Sequence, residues 1–442
     1  MKRFLILLLL LTTGSAYAQT VLTSVQEAVA LASQKAPDLT IARQNRAVQD
    51  LQRVSSRAAL LPTARAFTNL DYNYALPIQL IPAEFLGGSP GEFRRIQFGV
   101  PYNLQAGLEV TAPLLNKPAR VDQSLTEQNL QLIDLQNLVL QDDIATQTAR
   151  FYHAALLTRA AIELARRNVA STDTIVTIAR GRLDKGLIEP LEYNRLLSVQ
   201  LAQLDVVAQN ELNFQRNVNQ LKFLLGLSLE DSLVLAQRAT DWAADDVSPA
   251  ELNERPGVTL RRAQLDYYRL QLDRERALRL PTLAVYGRFS EQAQRREFNF
   301  FDFNEPWFSI GVVGLQFNVP IYSGGARKAG MTRARLRIQQ AETELAVERN
   351  RMAVDNADVR NSYNQAVRSL DLNRRQFDLS EQNTRIALIK YRAGVYAYDQ
   401  YLNVFNEALS AQNRYLTTLS NVLVNRTILQ IRSSLPVSGR RP

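Results

Sequence analysis

The side chains able to do chemistry in this sequence are few, and their spacing argues against catalysis. One histidine, His153, stands in 442 residues, and there is no cysteine. Disulfides, thiolate chemistry, sulfur-ligated metals and a lipid on an N-terminal Cys are thereby excluded. A lone histidine removes most metal and triad chemistry as well. His153 falls on a seven-residue stripe with Leu125, Leu132 and Val139, so it reads as a helix-packing residue. The carboxylate pairs Asp142-Asp143 and Asp245-Asp246 sit in no apolar cleft sequence and read as solvated faces. Gly324-Gly325 and Gly311-Val312-Val313-Gly314 resemble phosphate loops, but no Lys-Ser/Thr follows them. No catalytic residue, cofactor or metal is expected, and the chain does not read as an enzyme. An exported enzyme working with carboxylates alone would need a carboxylate pair held in a pocket.

The elements that carry these residues begin with an export signal. Lys2 and Arg3 precede the apolar run Leu5 to Leu11, and Ala16-Tyr17-Ala18 offers a cleavage site before Gln19. This pattern predicts a signal peptide over residues 1–18, too short to span a membrane. Its removal lowers the formal charge from +9 to +7. Lys and Arg are interleaved with Asp and Glu along the chain, which fits a solvated mixed-charge surface and no nucleic-acid partner. With 46% hydrophobic residues the chain can bury a core. No later stretch reaches about 18 uninterrupted apolar residues, so any entry into a membrane must be made by strands.

The sequence is written twice. Leu61-Pro62-Thr63 recurs as Leu280-Pro281-Thr282, with Pro37 and Pro256 at matching places upstream. Pro113-Leu114-Leu115-Asn116 leads to Ala119-Arg120 as Pro320-Ile321-Tyr322-Ser323 leads to Ala326-Arg327, and Gly186 and Gly394 break helical sequence at equivalent points. A fixed order of such matches marks two copies of one unit. Each copy reads helix, strand, strand, long helix, turn, helix. Helices are expected over about 24–60, 119–183 and 191–225, and again over about 250–280, 326–391 and 398–433. At 1.5 Å per residue the first three span about 55, 97 and 52 Å, so two short helices stacked end to end match one long one. Met331, Ile338, Leu345, Met352, Val359 and Ala366 form a heptad stripe that favours packing against neighbouring helices.

Between helices lie alternating segments. Phe98, Val100, Tyr102, Leu104, Ala106, Leu108 and Val110 alternate with mostly polar or small residues, over about 14 residues or roughly 45 Å. Soluble strands average about 5–6 residues, whereas a tilted membrane strand needs about 9–11. Its partner carries Thr68, Leu70, Tyr72 and Tyr74; in the second copy Val313, Leu315, Phe317 and Val319 alternate similarly, after a shorter segment near Val285 to Phe289. Tyr72, Tyr74, Tyr102, Trp307 and Phe308 sit near loop-side ends, as in an interfacial aromatic girdle. Four strands cannot close a membrane barrel, so several chains must contribute.

On these features the whole mature chain resembles the TolC-like outer membrane factor (outer membrane efflux protein) family. The most specific of them is the joint Pro320-Ile321-Tyr322-Ser323-Gly324-Gly325 with Arg327; Pro113 to Arg120, Lys390 to Gly394, and Leu221 to Leu227 support it. The resemblance implies a mainly α fold with a β-barrel part: a homotrimer with a 12-stranded transmembrane barrel continued by a periplasmic α-helical barrel. It implies a passive exit duct in the outer membrane of a Gram-negative bacterium. Its partners would be a periplasmic adaptor (membrane fusion) protein, an inner-membrane pump of RND or ABC type, and outer-membrane lipid. On this frame residues 19–227 form the first repeat (strands about 67–74 and 98–113) and 228–248 an equatorial connection. Residues 249–434 form the second repeat (strands about 283–290 and 309–320), and 435–442 a disordered tail. The barrel-to-tunnel joints fall at Pro113, Pro320, Gly324 and Gly325, and the adaptor-contacting tips at Gly186, Leu187, Gly394 and Val395. The periplasmic gate falls on Tyr391, Tyr396, Gln400, Asn403 and Glu192. Gln400 and Asn403 stand where the family's namesake carries acidic rings, and amides hold cations only weakly. A gate closed by tyrosine packing, with a Tyr391–Glu192 hydrogen bond, is therefore expected. The alternative is a periplasmic coiled-coil scaffold or adaptor, which would share the signal peptide and heptads but would not need the duplicated long strands.

Overall fold

The computed structural model describes residues 20–239, 252–302 and 304–434. The signal peptide, residues 240–248 of the connection, Asp245-Asp246 among them, and the 435–442 tail lie outside the described residues. Where one helix is expected over 24–60, two form: α1 (Val25–Lys35) and α2 (Pro37–Ala58). Pro37 divides them, because it lacks an N–H and holds the preceding Ala36 at φ −53, ψ 130, outside the helical region. The remaining helices are α3 (Lys117–Leu183), α4 (Pro190–Leu224), α5 (Pro256–Ala277), α6 (Ala326–Arg392) and α7 (Tyr398–Ser434). The duplication is plainest in α3 and α6, each of 67 residues. No helix among the described residues is long and apolar enough to cross a membrane.

The chain divides into two compact units. One takes the described residues within 1–46, 132–262 and 343–442. Its core gathers Leu22, Ala28 and Leu39 with Tyr152 and Leu156 of α3, Leu221 and Leu225 beside α4, and Leu419 and Leu423 of α7. Two three-residue strands, β1 (Thr20–Leu22) and β6 (Leu233–Leu235), pair in parallel at the two ends of the first copy. Gly226 ends α4 at φ 66, and a β-carbon there would sit 2.4 Å from the Lys35 carbonyl oxygen, so only glycine fits.

The same unit overturns the solvated reading of Asp142, which is 3% exposed. Its carboxylate receives Arg255 Nη2 at 2.9 Å; Arg255 Nη1 reaches Asp355 at 2.9 Å, and Arg432 Nη2 reaches Asp355 at 2.8 Å. Arg255 just before α5 thus ties α3 to α6, and Arg432 ties α6 to α7. His153, on α3, is buried as well. Thr427 Oγ1 donates to the Leu423 carbonyl at 3.0 Å, so its contact with His153 Nε2 at 2.8 Å is received from an Nε2–H. Nδ1 is left without a hydrogen-bond partner.

The other unit takes residues 47–131 and 263–342. Its antiparallel sheet runs β2 (Thr63–Tyr72), β5 (Tyr102–Leu115), β7 (Thr282–Arg295), β8 (Phe308–Asn318) in that order. Second-copy β7 pairs with first-copy β5, so the two repeats join edge to edge. The segment expected as a strand from Phe98 begins only at Tyr102, since Gly99 turns at φ 108 and Pro101 cannot donate. β7 is longer than the expected 283–290, because its polar end Ser290 to Arg295 pairs with β5 in spite of its composition. The 75–97 loop holds a small hairpin, β3 (Ile78–Pro82) with β4 (Phe93–Gln97).

Burial, with Arg426 adding its charge, pushes the His153 imidazole down to about 4. Between about pH 6.5 and 4 the unfolded chain binds a proton there that the folded chain refuses. Stability should therefore fall as pH drops through that window, by about 3 kcal/mol in full. Because this is the sole histidine, NMR of imidazole-labelled protein reads one residue: no titration is expected above about pH 5, and His153→Gln should remove that part of the pH dependence.

Candidate functional site

The α3 and α6 helices end in the same turn. Gly186 and Gly394 stand at φ 68 and 78. Leu187 N donates to the Arg182 carbonyl and Val395 N to the Lys390 carbonyl, each at 2.9 Å. This closes a helix by a left-handed residue and a hydrogen bond back to the last turn. An apolar residue just past the glycine normally packs on the side chain five positions back, but here those positions are Arg182 and Lys390. Leu187 and Val395 accordingly stay 69% exposed, both of them.

The two turns are fastened to each other by Arg182. Its Nη2 donates to the Tyr391 carbonyl at 2.6 Å and to the Arg392 carbonyl at 3.3 Å. Both carbonyls lie in the last turn of α6, where a cation is well placed; that of Tyr391 also accepts from Gly394 N at 3.0 Å. The guanidinium also lies 4.7 Å over the Tyr391 ring. Tyr391 is fully buried with Ile175, Ala179, Leu196, Tyr401 and Phe405. The expected Tyr391–Glu192 hydrogen bond does not form: the hydroxyl is buried without a partner. Stacking beneath Arg182 and packing beside Tyr401, 6.2 Å away between ring centroids, hold the ring in place. Burial pushes the Glu192 carboxyl above its ordinary range; Arg182 opposes this, while Asp399 and Glu189 add to it. Burial and the Glu192 charge raise the Tyr391 phenol.

Tyr396 lies under Lys390, whose Nζ is 4.8 Å from the ring centroid. Gln400 Oε1 accepts from Ala397 N at 3.1 Å and so caps the start of α7, while Asn403 is exposed one turn on. At the joints, Asn116 Oδ1 caps α3 through Ala119 N at 3.1 Å, and a register shift falls between Pro113 and Leu115. In the second copy Arg327 Nη1 donates to the Pro320 carbonyl at 3.1 Å, around the turn made by Gly324 and Gly325 at φ 58 and 84. Among the described residues no cluster of His, Cys, Asp and Glu side chains is placed to hold a metal.

The sheet separates two faces. On one, Leu70, Leu104, Leu108, Val110, Phe289, Val313, Leu315 and Phe317 follow the pairing register. On the other, Gln105 Nε2 donates to Ser290 Oγ at 2.9 Å and Gln292 Nε2 to Asn103 Oδ1 at 2.7 Å. Tyr72 and Tyr102 meet at a tilt at the loop end with centroids 4.8 Å apart, and Phe298 and Phe300 lean edge-on against Tyr102.

Residues 247–430 match the outer membrane efflux protein family. The chain resembles that family over this span. It is 27% identical over 223 residues to the proteases secretion protein PrtF of Dickeya chrysanthemi, a match that takes in 50% of this chain and 42% of PrtF. Its fold is similar to that of the outer membrane protein VceC of Vibrio cholerae, with a TM-score of 0.71, 15% identity, and 92% and 96% of the two chains covered. It is equally similar to the open state of the MtrE outer membrane channel of Neisseria gonorrhoeae, with a TM-score of 0.72, 17% identity, and coverage of 92% and 88%. The sequence pattern singled out both turn glycines but not Arg182. The signal was present, since Arg182 and Lys390 each stand four residues before a turn glycine.

Tyr391→Phe removes a buried hydroxyl that has no partner, so thermal stability should hold or rise. Arg182→Ala deletes a charged donor to two carbonyls and should cost about 1.5–3 kcal/mol. Unfolding curves and the rate of proteolysis near Gly186 and Gly394 measure both.

Proposed function

We propose that three copies of this chain close a twelve-stranded barrel in the outer membrane and form the exit duct of a tripartite efflux or type I secretion system. Cargo would pass without catalysis from a periplasmic adaptor and an inner-membrane RND or ABC pump to the exterior. The observation that carries this reading is the open sheet. β2 and β8 each pair on one side only, and one face is apolar except near the loop end, where Glu291, bonded to Ser309, and Arg295 stand on it. In lipid such edges are untenable. The repeat supplies the remedy: a β8 edge laid on the β2 edge of the next protomer repeats the β5–β7 junction. A second support is a pair of exposed rows on α6, Val347 and Val354 and then Leu372, Leu379 and Ile386, each spaced by seven residues, which suits a neighbouring helix. The PrtF likeness favours protein cargo for the system.

On this reading Leu187 and Val395 meet the adaptor, and Tyr391, Tyr396 and Glu192, with Gln400 and Asn403 on the following helix, bound the entrance. Arg182 is the fastener that holds it shut. Arg182→Ala combined with Tyr391→Ala should raise single-channel conductance several-fold; unchanged conductance would place the gate elsewhere.

Leu108 pairs with Phe289, and their repeat counterparts are Leu315 and Leu70. Leu315 should therefore face Leu70 of the next protomer. In a chain without cysteine, Leu70→Cys with Leu315→Cys should oxidise in outer membranes to a ladder ending at a covalent trimer, and neither single variant should. A protein that stays water-soluble and uncrosslinked would return the chain to a periplasmic scaffold.

A further inference from the structure

The polar face of the sheet holds one charged cluster whose composition is uneven. Backbone register sets Arg65 directly opposite Glu109 on one side and Arg288 directly opposite it on the other. The side chains complete the contact: Arg65 Nη2 lies 2.9 Å and Arg288 Nη2 2.6 Å from the Glu109 carboxylate. Glu109 is only 14% exposed, whereas Arg65 is 68% and Arg288 44% exposed. The Arg288 guanidinium is also held 5.4 Å over the Phe67 ring. Two cations thus share one anion and cover it, while they themselves stay more exposed than it is. Each chain carries a net charge of +1 at this level.

The charge is not cancelled nearby. Asp71 lies on the same face of β2, but six residues from Arg65, about 20 Å along the strand and beyond a Debye length of about 8 Å. Nor does the repeat restore balance. Glu109 corresponds to Gln316, Arg65 to Ala284 and Arg288 to Asn69, so the second copy is neutral at the equivalent place. Of the residues proposed to bound the entrance, Gln400 and Asn403 are amides and Glu192 alone is acidic.

We propose that Arg65 and Arg288, with Glu109 beneath them, form an anion-preferring belt in the strand part of the pore, so that the duct favours cargo presenting carboxylate or phosphate groups. This rests on the exit-duct reading, in which the polar face lines the lumen and three chains bring the belt to +3. Glu109 keeps the two arginines side by side and limits the charge so that anions pass rather than lodge. Guanidinium groups suit the task because they remain charged at every physiological pH and bind carboxylate and phosphate in a bidentate manner.

The test is the reversal potential of purified trimers in planar bilayers under a potassium chloride gradient. The wild type should prefer chloride over potassium by about threefold, the ratio expected from a lumen potential of order kT. Arg65→Gln with Arg288→Gln should bring the ratio to about one, and the corresponding double lysine variant should keep the preference. Glu109→Gln should move it the other way, to a stronger anion preference, which mere damage to the sheet would not do. A ratio that is the same in all these variants, or that shifts in one direction for both the acid and the arginine changes, overturns the belt. Trimers that carry no current overturn the pore itself and the belt with it.

Discussion

Backbone hydrogen bonding at the two edges of a four-stranded sheet is the constraint on which the rest of this molecule turns. β2 and β8 each offer a row of N–H and C=O groups with a partner on one side only. Water would satisfy them, but the face between them is lined with Leu, Val and Phe, and such a face seeks an apolar surrounding. On the proposed reading the two demands meet when the sheet is continued by another copy of itself. Duplication makes that continuation cheap to specify, since a junction of the kind proposed between chains already exists within the chain as β5 against β7. The long helices then follow the strands through proline and glycine joints, where Arg327 and Asn116 satisfy the backbone groups that the change of direction exposes.

At the far end of each long helix the same problem appears in another form. The last carbonyls of an α-helix have no internal partner. Gly186 and Gly394 let the following backbone turn back to meet one of them, and Arg182 reaches across to cover those of α6. Terminal hydrogen bonding thereby becomes a link between the two repeats. The apolar cluster around Tyr391 lies directly beneath that link, so opening the turns requires a charged donor to leave its acceptors and an aromatic core to part.

Charge inside the helical unit is spent on holding elements together. The Asp142–Arg255–Asp355–Arg432 chain joins four segments distant in sequence, and a buried carboxylate left without its cation is costly. His153 follows the same logic while uncharged: its Nε2–H is placed by a threonine on α7, and burial suppresses the proton that would otherwise make it a cation.

What the sequence determined by itself is what depends on neighbours along the chain. Periodicity marks the long helices and the β5 alternation, and the Pro and Gly positions mark the joints and tips. These depend on local steric rules, so Gly186, Gly394, Pro113 and Pro320 were legible, and so was the duplication. The family reading rested on the same local signals. The tertiary structure decided the rest. Pro37 broke a helix that periodicity ran through, and β7 extended over a polar stretch because β5 offered hydrogen bonds there. Arg182 chose the Tyr391 carbonyl, 209 residues away, and Asp142 took Arg255 rather than water. Each of these depends on which distant group arrives within reach, and a spacing rule along one chain carries no information about that meeting.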